Sequence, residues 1–285
     1  MARRRARLVR LRGAQYPRCC QVISLGAARH TGRHSALIAT VILFISPHLD
    51  DVALSCGGLV YRLASAGQSV TIATICTADP PADWPLSEAA QHEHRQWQLG
   101  DRPYQGRRAE DAQACRVLGA NAAHLGLLDA IYRRDEKGAP LYTNDFIGGA
   151  VHPYDWQVQL PQVQAVLAPL IRTATQVYCP LAVGGHVDHV IVRHAVELLA
   201  GQPDIRYYED FPYADKLDRF TPPDGWTCDE IALTTDEVNM RIRAIACYAS
   251  QLSAVFGSAA AMPERVRGYV SRVGGERYWA CRTDL

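Results

Sequence analysis

The sequence lacks an apolar run long enough to cross a membrane. Its longest mostly apolar stretch, residues 36–45, covers ten positions and includes Thr40, whereas a transmembrane helix needs about 20. Apolar residues make up 48% of the 285 residues and charged residues 21%, a balance that is typical of globular proteins and excludes a disordered chain. The sequence therefore predicts a globular protein with no membrane span.

The sequence also lacks the cysteine pattern of a disulfide-stabilised protein. Its nine cysteines are an odd number, and no two of them are separated by two residues as in a CxxC pair. Disulfide frameworks and many zinc sites use even numbers of cysteines at regular spacings. We expect reduced cysteines, with Cys76 and Cys179 as small core residues, and therefore a cytoplasmic protein.

Acidic residues are absent from the first 48 positions, which contain nine arginines; the first carboxylate is Asp50. The remainder has 30 − 9 = 21 basic and 29 acidic side chains, a net charge of −8. We expect residues 1–34 to be a basic leader, either disordered or a mis-assigned start, and residues 35–285 to be a single α/β domain. The overall charge of +1 does not predict a nucleic-acid partner.

Buried strands alternate with helices from residue 40 onward. Residues 40–46 (TVILFIS) and 69–76 (SVTIATIC) are apolar, β-branched and unbroken, which is typical of buried parallel strands. Further strands are predicted at 122–128, 176–180, 205–208 and 230–233, and helices at 52–66, 87–98, 107–119, 160–173, 187–199, 236–250 and 262–273. This alternation predicts a Rossmann-like, mostly parallel sheet with helices on both faces. Such sheets bind ligands beyond the carboxyl ends of their strands.

Two clusters of ligand-type side chains follow predicted strands at that edge of the sheet. Residues 46–51 (SPHLDD) come after the first strand, and residues 184–189 (GGHVDH) follow the fourth. His48, Asp51 and His189 would form a site of two histidines and one carboxylate, which leaves a coordination position for water, as in catalytic zinc sites. Zinc is favoured, and Fe²⁺ or Mn²⁺ would accept the same ligands.

The remaining polar residues of the two clusters can perform the other steps of a hydrolysis. A divalent metal lowers the pKa of coordinated water from about 15.7 toward 7, and Asp50 can act as the general base that takes its proton. His186 can donate a hydrogen bond to a developing oxyanion. Asp188 could orient one of the histidines by hydrogen bonding.

The two motifs resemble those of the PIG-L/LmbE superfamily of zinc-dependent N-acetylglucosaminyl de-N-acetylases. That family has (A/S)HPDD after its first strand and HxDH later, which correspond here to residues 47–51 (PHLDD) and 186–189 (HVDH). The resemblance implies the same three metal ligands, the same base and the same oxyanion donor. Leu49 replaces the usual proline and Val52 a frequent glutamate, but neither position is expected to bind metal.

The resemblance extends to two candidate substrate-binding residues. Residues 107–110 (RRAE) resemble a helix start from which an arginine reaches the sugar, so Arg108 is predicted to bind substrate, with Arg107 as the alternative. Residues 125–129 (LGLLD) resemble a segment that ends in an aspartate near the substrate, which indicates Asp129. Residues 129–156 form a long irregular segment whose length is typical of a lid or binding loop, and Glu209 or Asp210 could also contact substrate.

Together these residues predict a metal-dependent hydrolase that removes the N-acetyl group of an N-acetylglucosamine-type conjugate. The expected partner is a small-molecule or glycoconjugate amino sugar, and a homo-oligomer is compatible with the sequence. Two alternatives stay open: a metal hydrolase that acts on another amide or a thiol conjugate, and a non-catalytic Rossmann-like binding module. The second is disfavoured because the first strand–helix turn carries carboxylates where a dinucleotide would need glycines.

Overall fold

The apolar runs of the sequence become the inner strands of a mostly parallel sheet. The computed structural model describes residues 41–143, 147–199, 204–216 and 225–281, so the predicted leader at 1–34 lies outside the described residues. Within these ranges the sheet has seven strands: β1 (Val41–Ser46), β2 (Ser69–Cys76), β3 (Asn121–Leu127), β4 (Gln176–Pro180), β5 (Asp204–Tyr208), β6 (Trp226–Ile231) and β7 (Glu276–Cys281). Their order is β3-β2-β1-β4-β5-β7-β6. The first five are parallel, and β7 is antiparallel to both of its neighbours.

Helices cover both faces of this sheet, as predicted. They are α1 (Asp51–Ser65), α2 (Glu88–Trp97), α3 (Pro103–Leu118), α4 (Pro153–Gln157), α5 (Gln159–Ile171), α6 (Val187–Leu198), α7 (Thr235–Ile245), α8 (Ala249–Phe256) and α9 (Met262–Val273). Alternate residues of β1 enter two separate cores: Leu43 and Ile45 pack on the side of α5 and α6, whereas Ile42 and Phe44 pack on the side of α1 and α3. In the described part of the chain, no helix is both long and apolar enough to span a bilayer.

The helix predicted over residues 236–250 is interrupted by contacts with α3. The side-chain hydroxyl of Tyr248 donates a hydrogen bond of 2.8 Å to Asp111, and the carboxylate of Glu110 accepts hydrogen bonds from the backbone N–H and the hydroxyl of Ser250. These contacts satisfy the first turn of α8, so α7 ends at Ile245 and a second helix begins at Ala249. The cause is tertiary and has no counterpart in the local apolar pattern.

Several other elements also differ from the prediction, among them β6, which covers Trp226–Ile231 rather than 230–233. Helix α3 begins at Pro103 rather than after Gly106, because proline is well suited to the first turn of a helix. Strand β7 was not predicted, since its sequence, ERYWAC, mixes a charged pair with aromatic residues. Glu276 is nevertheless 1% exposed, and its carboxylate accepts hydrogen bonds from the backbone N–H groups of Gly58 and Leu59 in α1.

The strand order locates a crevice between β1 and β4. These strands are neighbours, and the connections on either side of them lead in opposite directions across the sheet. Ligands bind at such a reversal point in open α/β sheets. Both predicted clusters follow these two strands, so the fold directs them to the same crevice.

Candidate active site

The structure brings the two clusters together at the carboxyl ends of β1 and β4. The centroid of the His48 ring lies 4.8 Å from that of His186 and 5.3 Å from that of His189. All three rings are within reach of one small ligand, although His48 and His189 are 141 positions apart in the sequence.

The turn after β1 holds Asp50 in a strained backbone conformation. Its φ is 152° and its ψ is −27°, and a non-glycine residue in a sparsely populated region costs on the order of 1–3 kcal/mol. Asp51 follows as the first residue of α1, and its Oδ2 accepts a hydrogen bond of 2.7 Å from the backbone N–H of His48. Asp50 makes no capping hydrogen bond to the helix, and it lines the adjacent cleft.

The turn after β4 uses residues in the left-handed region instead. Ala182 and Gly184 have φ angles of 60° and 91°, and a Cβ on Gly184 would lie 2.8 Å from the side chain of Tyr213. Only glycine therefore fits at this position. The turn brings His186 to the start of α6, where its Nδ1 accepts a hydrogen bond of 3.2 Å from the backbone N–H of Asp188.

Two buried carboxylates each accept a hydrogen bond from one ring nitrogen of a histidine. Nε2 of His48 lies 3.0 Å from Oδ2 of Asp188, and Nδ1 of His189 lies 2.6 Å from Oδ1 of Asp210. An ionised carboxylate only accepts hydrogen bonds, so these nitrogens carry the hydrogens and donate them. The opposite nitrogens, Nδ1 of His48 and Nε2 of His189, then keep their lone pairs, which is the arrangement that prepares histidine to bind a metal.

Both lone-pair nitrogens face the same oxygen. Oδ2 of Asp51 lies 3.3 Å from Nδ1 of His48 and 3.4 Å from Nε2 of His189. Nε2 of His189 is buried and has no hydrogen-bond partner among the described residues. Metal–ligand bonds of about 2.0–2.2 Å in a tetrahedron would separate the ligand atoms by about 3.4 Å. The three atoms therefore fit a divalent metal. Without one, the surrounding carboxylates raise the pKa of both histidines, so that protons take the place of the metal cation.

His186 is placed to donate a hydrogen bond rather than to bind a metal. Ring nitrogens of His48, His186 and His189 lie within 4.8 Å of one another, so a site of three histidines has to be considered. Burial lowers the pKa of His186 to about 3, and the ring is neutral. Because its Nδ1 lone pair already accepts the N–H of Asp188, its hydrogen lies on Nε2, and that nitrogen has no lone pair for a metal.

Asp50 has the electrostatic properties of a base near neutral pH. Burial and the negative charge of Asp51 raise the pKa of Asp50 to about 7, although the guanidinium of Arg107 opposes this shift. Nη2 of Arg107 lies 3.9 Å from Oδ1 of Asp50. A carboxylate with a pKa near the working pH can both take up and release a proton.

Arg107, and not Arg108, lines the cleft next to these residues. The cleft has a volume of about 250 Å³, and Arg107 is 3% exposed, with its guanidinium 4.6 Å from the ring centroid of Trp97 and 5.2 Å from that of Tyr104. Arg108 points elsewhere and pairs with Asp79 at 3.1 Å. The structure thus places Arg107, the alternative named with Arg108, at the cleft.

Asp129 also lines the cleft. One oxygen of its carboxylate accepts a hydrogen bond of 2.5 Å from the hydroxyl of Tyr104, and the other accepts the backbone N–H of Ile131. Glu93 and Lys216, which were not predicted, line the same cleft. Both stand on segments whose approach to the site depends on tertiary packing, so local patterns contain no signal for them.

The other acidic candidates have different positions from those expected. Asp210 holds His189 and also accepts the backbone N–H of Val183 at 2.9 Å, so it orients a histidine rather than lining the cleft. Glu209 accepts hydrogen bonds from Tyr269 and Trp279 in the interior. Their location just after β5, which neighbours β4, was a usable signal for Asp210.

Known structures with this fold define the class of protein. A deacetylase from the teicoplanin biosynthesis pathway, solved as a complex, has a TM-score of 0.74 and 28% identity, covering 86% of this chain and 100% of that one. A zinc-inhibited form of teicoplanin deacetylase has a TM-score of 0.72 and 27% identity, with the same coverage. The fold and these relatives define an α/β protein of the deacetylase type with a candidate metal centre.

Sequence comparisons identify the family within that class. The model of the PIG-L family, GlcNAc-PI de-N-acetylase, matches residues 43–200. The 2'-N-acetylparomamine deacetylase of Niallia circulans is 30% identical over 257 residues, which cover 85% of this chain and 91% of that protein. The enzyme with the same name from Streptomyces fradiae is 37% identical over 186 residues, which are 62% of this chain and 58% of that protein. The chain belongs to the PIG-L family, which confirms the resemblance found in its sequence.

Proposed function

We propose that this chain is a metal-dependent hydrolase that removes the N-acetyl group from an N-acetylglucosamine-type amino-sugar conjugate. The observation that carries the proposal is the convergence of three lone-pair atoms, on His48, Asp51 and His189, beside a buried carboxylate base. The deacetylases among the relatives support the same reaction.

His48, Asp51 and His189 would hold the metal. Two imidazoles and one carboxylate suit Zn²⁺, and Fe²⁺ or Mn²⁺ accept the same donors. When bound, such a metal supplies Lewis acidity, which lowers the pKa of water and polarises the acyl oxygen. Asp188 and Asp210 keep the two histidines in the required tautomer and orientation.

The residues around this centre would move one proton and stabilise one negative charge. Asp50 takes a proton from the attacking water as its oxygen bonds to the acetyl carbon. The N–H at Nε2 of neutral His186 donates a hydrogen bond to the oxyanion that forms on the former carbonyl oxygen. Asp50 then returns the proton to the amide nitrogen as the C–N bond breaks, which gives acetate and the amine.

Arg107 and Asp129 would position the sugar. The guanidinium of Arg107 is fixed between two aromatic rings, and Asp129 is fixed by Tyr104, so both present oriented polar groups without losing much conformational freedom on binding. We infer that they bind neighbouring sugar hydroxyls, because the hydroxyl of Tyr104 contacts both side chains. By analogy with the names of the relatives, the conjugate would be a small antibiotic-type glycoside. The cytoplasmic location stays a prediction.

A substrate panel with defined metal content tests the proposal. The purified chain would be stripped with a chelator and reloaded with Zn²⁺, Fe²⁺ or Mn²⁺, and acetate release would be measured from N-acetylglucosamine, 2'-N-acetylparomamine, an N-acetylglucosaminyl lipid and an N-acetylglucosaminyl thiol. We expect metal-dependent release from at least one of them and none from a simple N-acetylated amine. Hydrolysis of the simple amide alone would favour the broader amidase alternative, and no metal binding at all would contradict the proposed centre.

A further inference from the structure

A buried arginine lies directly behind the proposed metal centre. Arg133 is 6% exposed and follows the short 3₁₀ turn Ala130–Tyr132. Its Nη1 donates a hydrogen bond to Oδ1 of Asp188, and its Nε donates one of 3.0 Å to Oδ2 of Asp155. One guanidinium thus joins two buried carboxylates that lie on different elements, α6 and α4.

The contacts of Asp188 show what this arginine does. One carboxylate oxygen is bound to Arg133, so the other, Oδ2, is directed to Nε2 of His48 at 3.0 Å and to the backbone N–H of Ala130 at 3.1 Å. A carboxylate held at both oxygens cannot rotate away from the histidine. The planar guanidinium is suited to this task, because it fixes direction as well as charge.

The same arginine connects the site to the long segment 129–156. Asp155 also accepts a hydrogen bond of 2.7 Å from the hydroxyl of Tyr142, which in turn accepts the backbone N–H of His152 at 3.0 Å. The two ends of this segment are therefore joined through Arg133. Within the described part of the chain, Arg133 is not among the residues that line the cleft.

We infer that Arg133 is a positioning residue that holds the Asp188 carboxylate against His48 and thereby strengthens metal binding. The inference rests on the metal centre proposed above. Loss of a group that orients a metal ligand typically weakens metal affinity or activity by about 10–100-fold. Substrate binding should change little, because Arg133 does not reach the cleft.

Three variants separate this role from a purely structural one. Arg133→Lys keeps the positive charge but lacks the planar group that contacts both carboxylates. Asp155→Asn removes only the negative charge of the carboxylate farther from His48. Arg133→Met removes all hydrogen bonds of the guanidinium. Zinc affinity would be measured by competition with a chromophoric chelator, together with kcat, KM and thermal stability. Arg62→Met is the matched control, since Arg62 pairs with Glu237 at 2.6 Å at the surface.

We expect zinc affinity to fall about tenfold in Arg133→Lys and up to about 100-fold in Arg133→Met, with a smaller loss in Asp155→Asn. Added zinc should restore kcat in Arg133→Lys at an unchanged KM, and Arg62→Met should bind zinc like the parent. Should Arg133→Met fail to fold, the two milder variants decide.

Parent-like zinc affinity in Arg133→Lys and Asp155→Asn would overturn the inference, as would a raised KM at unchanged affinity. A parent chain that binds no metal would instead overturn the proposed centre. A parent that binds metal but hydrolyses nothing would overturn only the proposed reaction, because the affinity measurements remain valid.

Discussion

The turns after β1 and β4 present similar side chains to one cleft but are built in opposite ways. The first places a non-glycine residue, Asp50, at a φ of 152°. The second has Ala182 and Gly184 at φ angles of 60° and 91°, and a side chain on Gly184 would collide with Tyr213. The first turn therefore has its strained residue at the base itself, whereas the second keeps its histidines on relaxed backbone.

This difference indicates which residue type each turn must keep. A metal ligand or a hydrogen-bond donor can sit on relaxed backbone, as His186 and His189 do at the start of α6. In the first turn, two adjacent carboxylates must have different directions, with Asp51 toward His48 and His189 and Asp50 toward Arg107. The distorted backbone separates them, and the turn therefore trades stability for placement of the base.

Removing a metal ligand should have the largest effect on activity, and the effect should be the same for a ligand from either turn. We expect His48→Ala and His189→Ala both to lose bound metal and all metal-dependent hydrolysis, because each removes one of three donors. Metal content after dialysis measures this directly. Retention of stoichiometric metal by either variant would contradict the ligand set.

Replacing the proposed base, Asp50, should lower kcat without affecting the second turn. Asp50→Asn should reduce kcat by about 10²–10⁴-fold, the usual contribution of a general base, while metal content stays unchanged. Acetate release at saturating substrate measures the effect, and Asp129→Asn serves as a control that should act mainly on KM. An unchanged kcat in Asp50→Asn would remove Asp50 from the mechanism.

The corresponding change in the second turn should be smaller. His186→Ala should reduce kcat by about 10²–10³-fold, as for other single oxyanion donors, and should keep the metal. Both readouts matter, because loss of metal in this variant would instead support the site of three histidines.

The smallest expected effect concerns the backbone strain at Asp50. Asp50→Gly should be more stable than Asp50→Ala by about 1 kcal/mol, since glycine relieves the strained φ but costs some chain entropy. Urea denaturation of the two metal-stripped variants compares their free energies of unfolding. If Asp50→Gly were the less stable of the two, the backbone at this position would not be strained.

Much of the fold follows from local patterns in the sequence. Residues 40–46 and 69–76 are apolar and β-branched throughout, which indicates strands buried on both sides, and both strands are confirmed. The break between α7 and α8 could not be predicted, because it depends on Glu110 and Asp111 of a distant helix. Strand β7 was missed because its buried Glu276 is paired with groups far away in the sequence.

The site residues also divide into those that local sequence predicts and those that depend on tertiary contacts. His48, Asp51 and His189 were predicted because they stand directly after predicted strands. Asp210 was predicted only as a possible substrate contact, and the local sequence around Arg133 contains no signal for its role. Both act through contacts that only the folded chain reveals. The choice between Arg107 and Arg108 could not be made from the local sequence, because it depends on how α3 packs: Arg107 lies against Trp97 and Tyr104, and Arg108 pairs with Asp79.

Asp188 belongs to the second turn but supports a histidine of the first. The two motifs therefore cannot be exchanged separately without disturbing each other. A chimera that takes only the segment around β1 from a relative would combine the relative's histidine with Asp188 of this chain. Both turns would have to be transferred together to give an intact centre. We expect the catalytic edge of this enzyme to be inherited, and engineered, as one block.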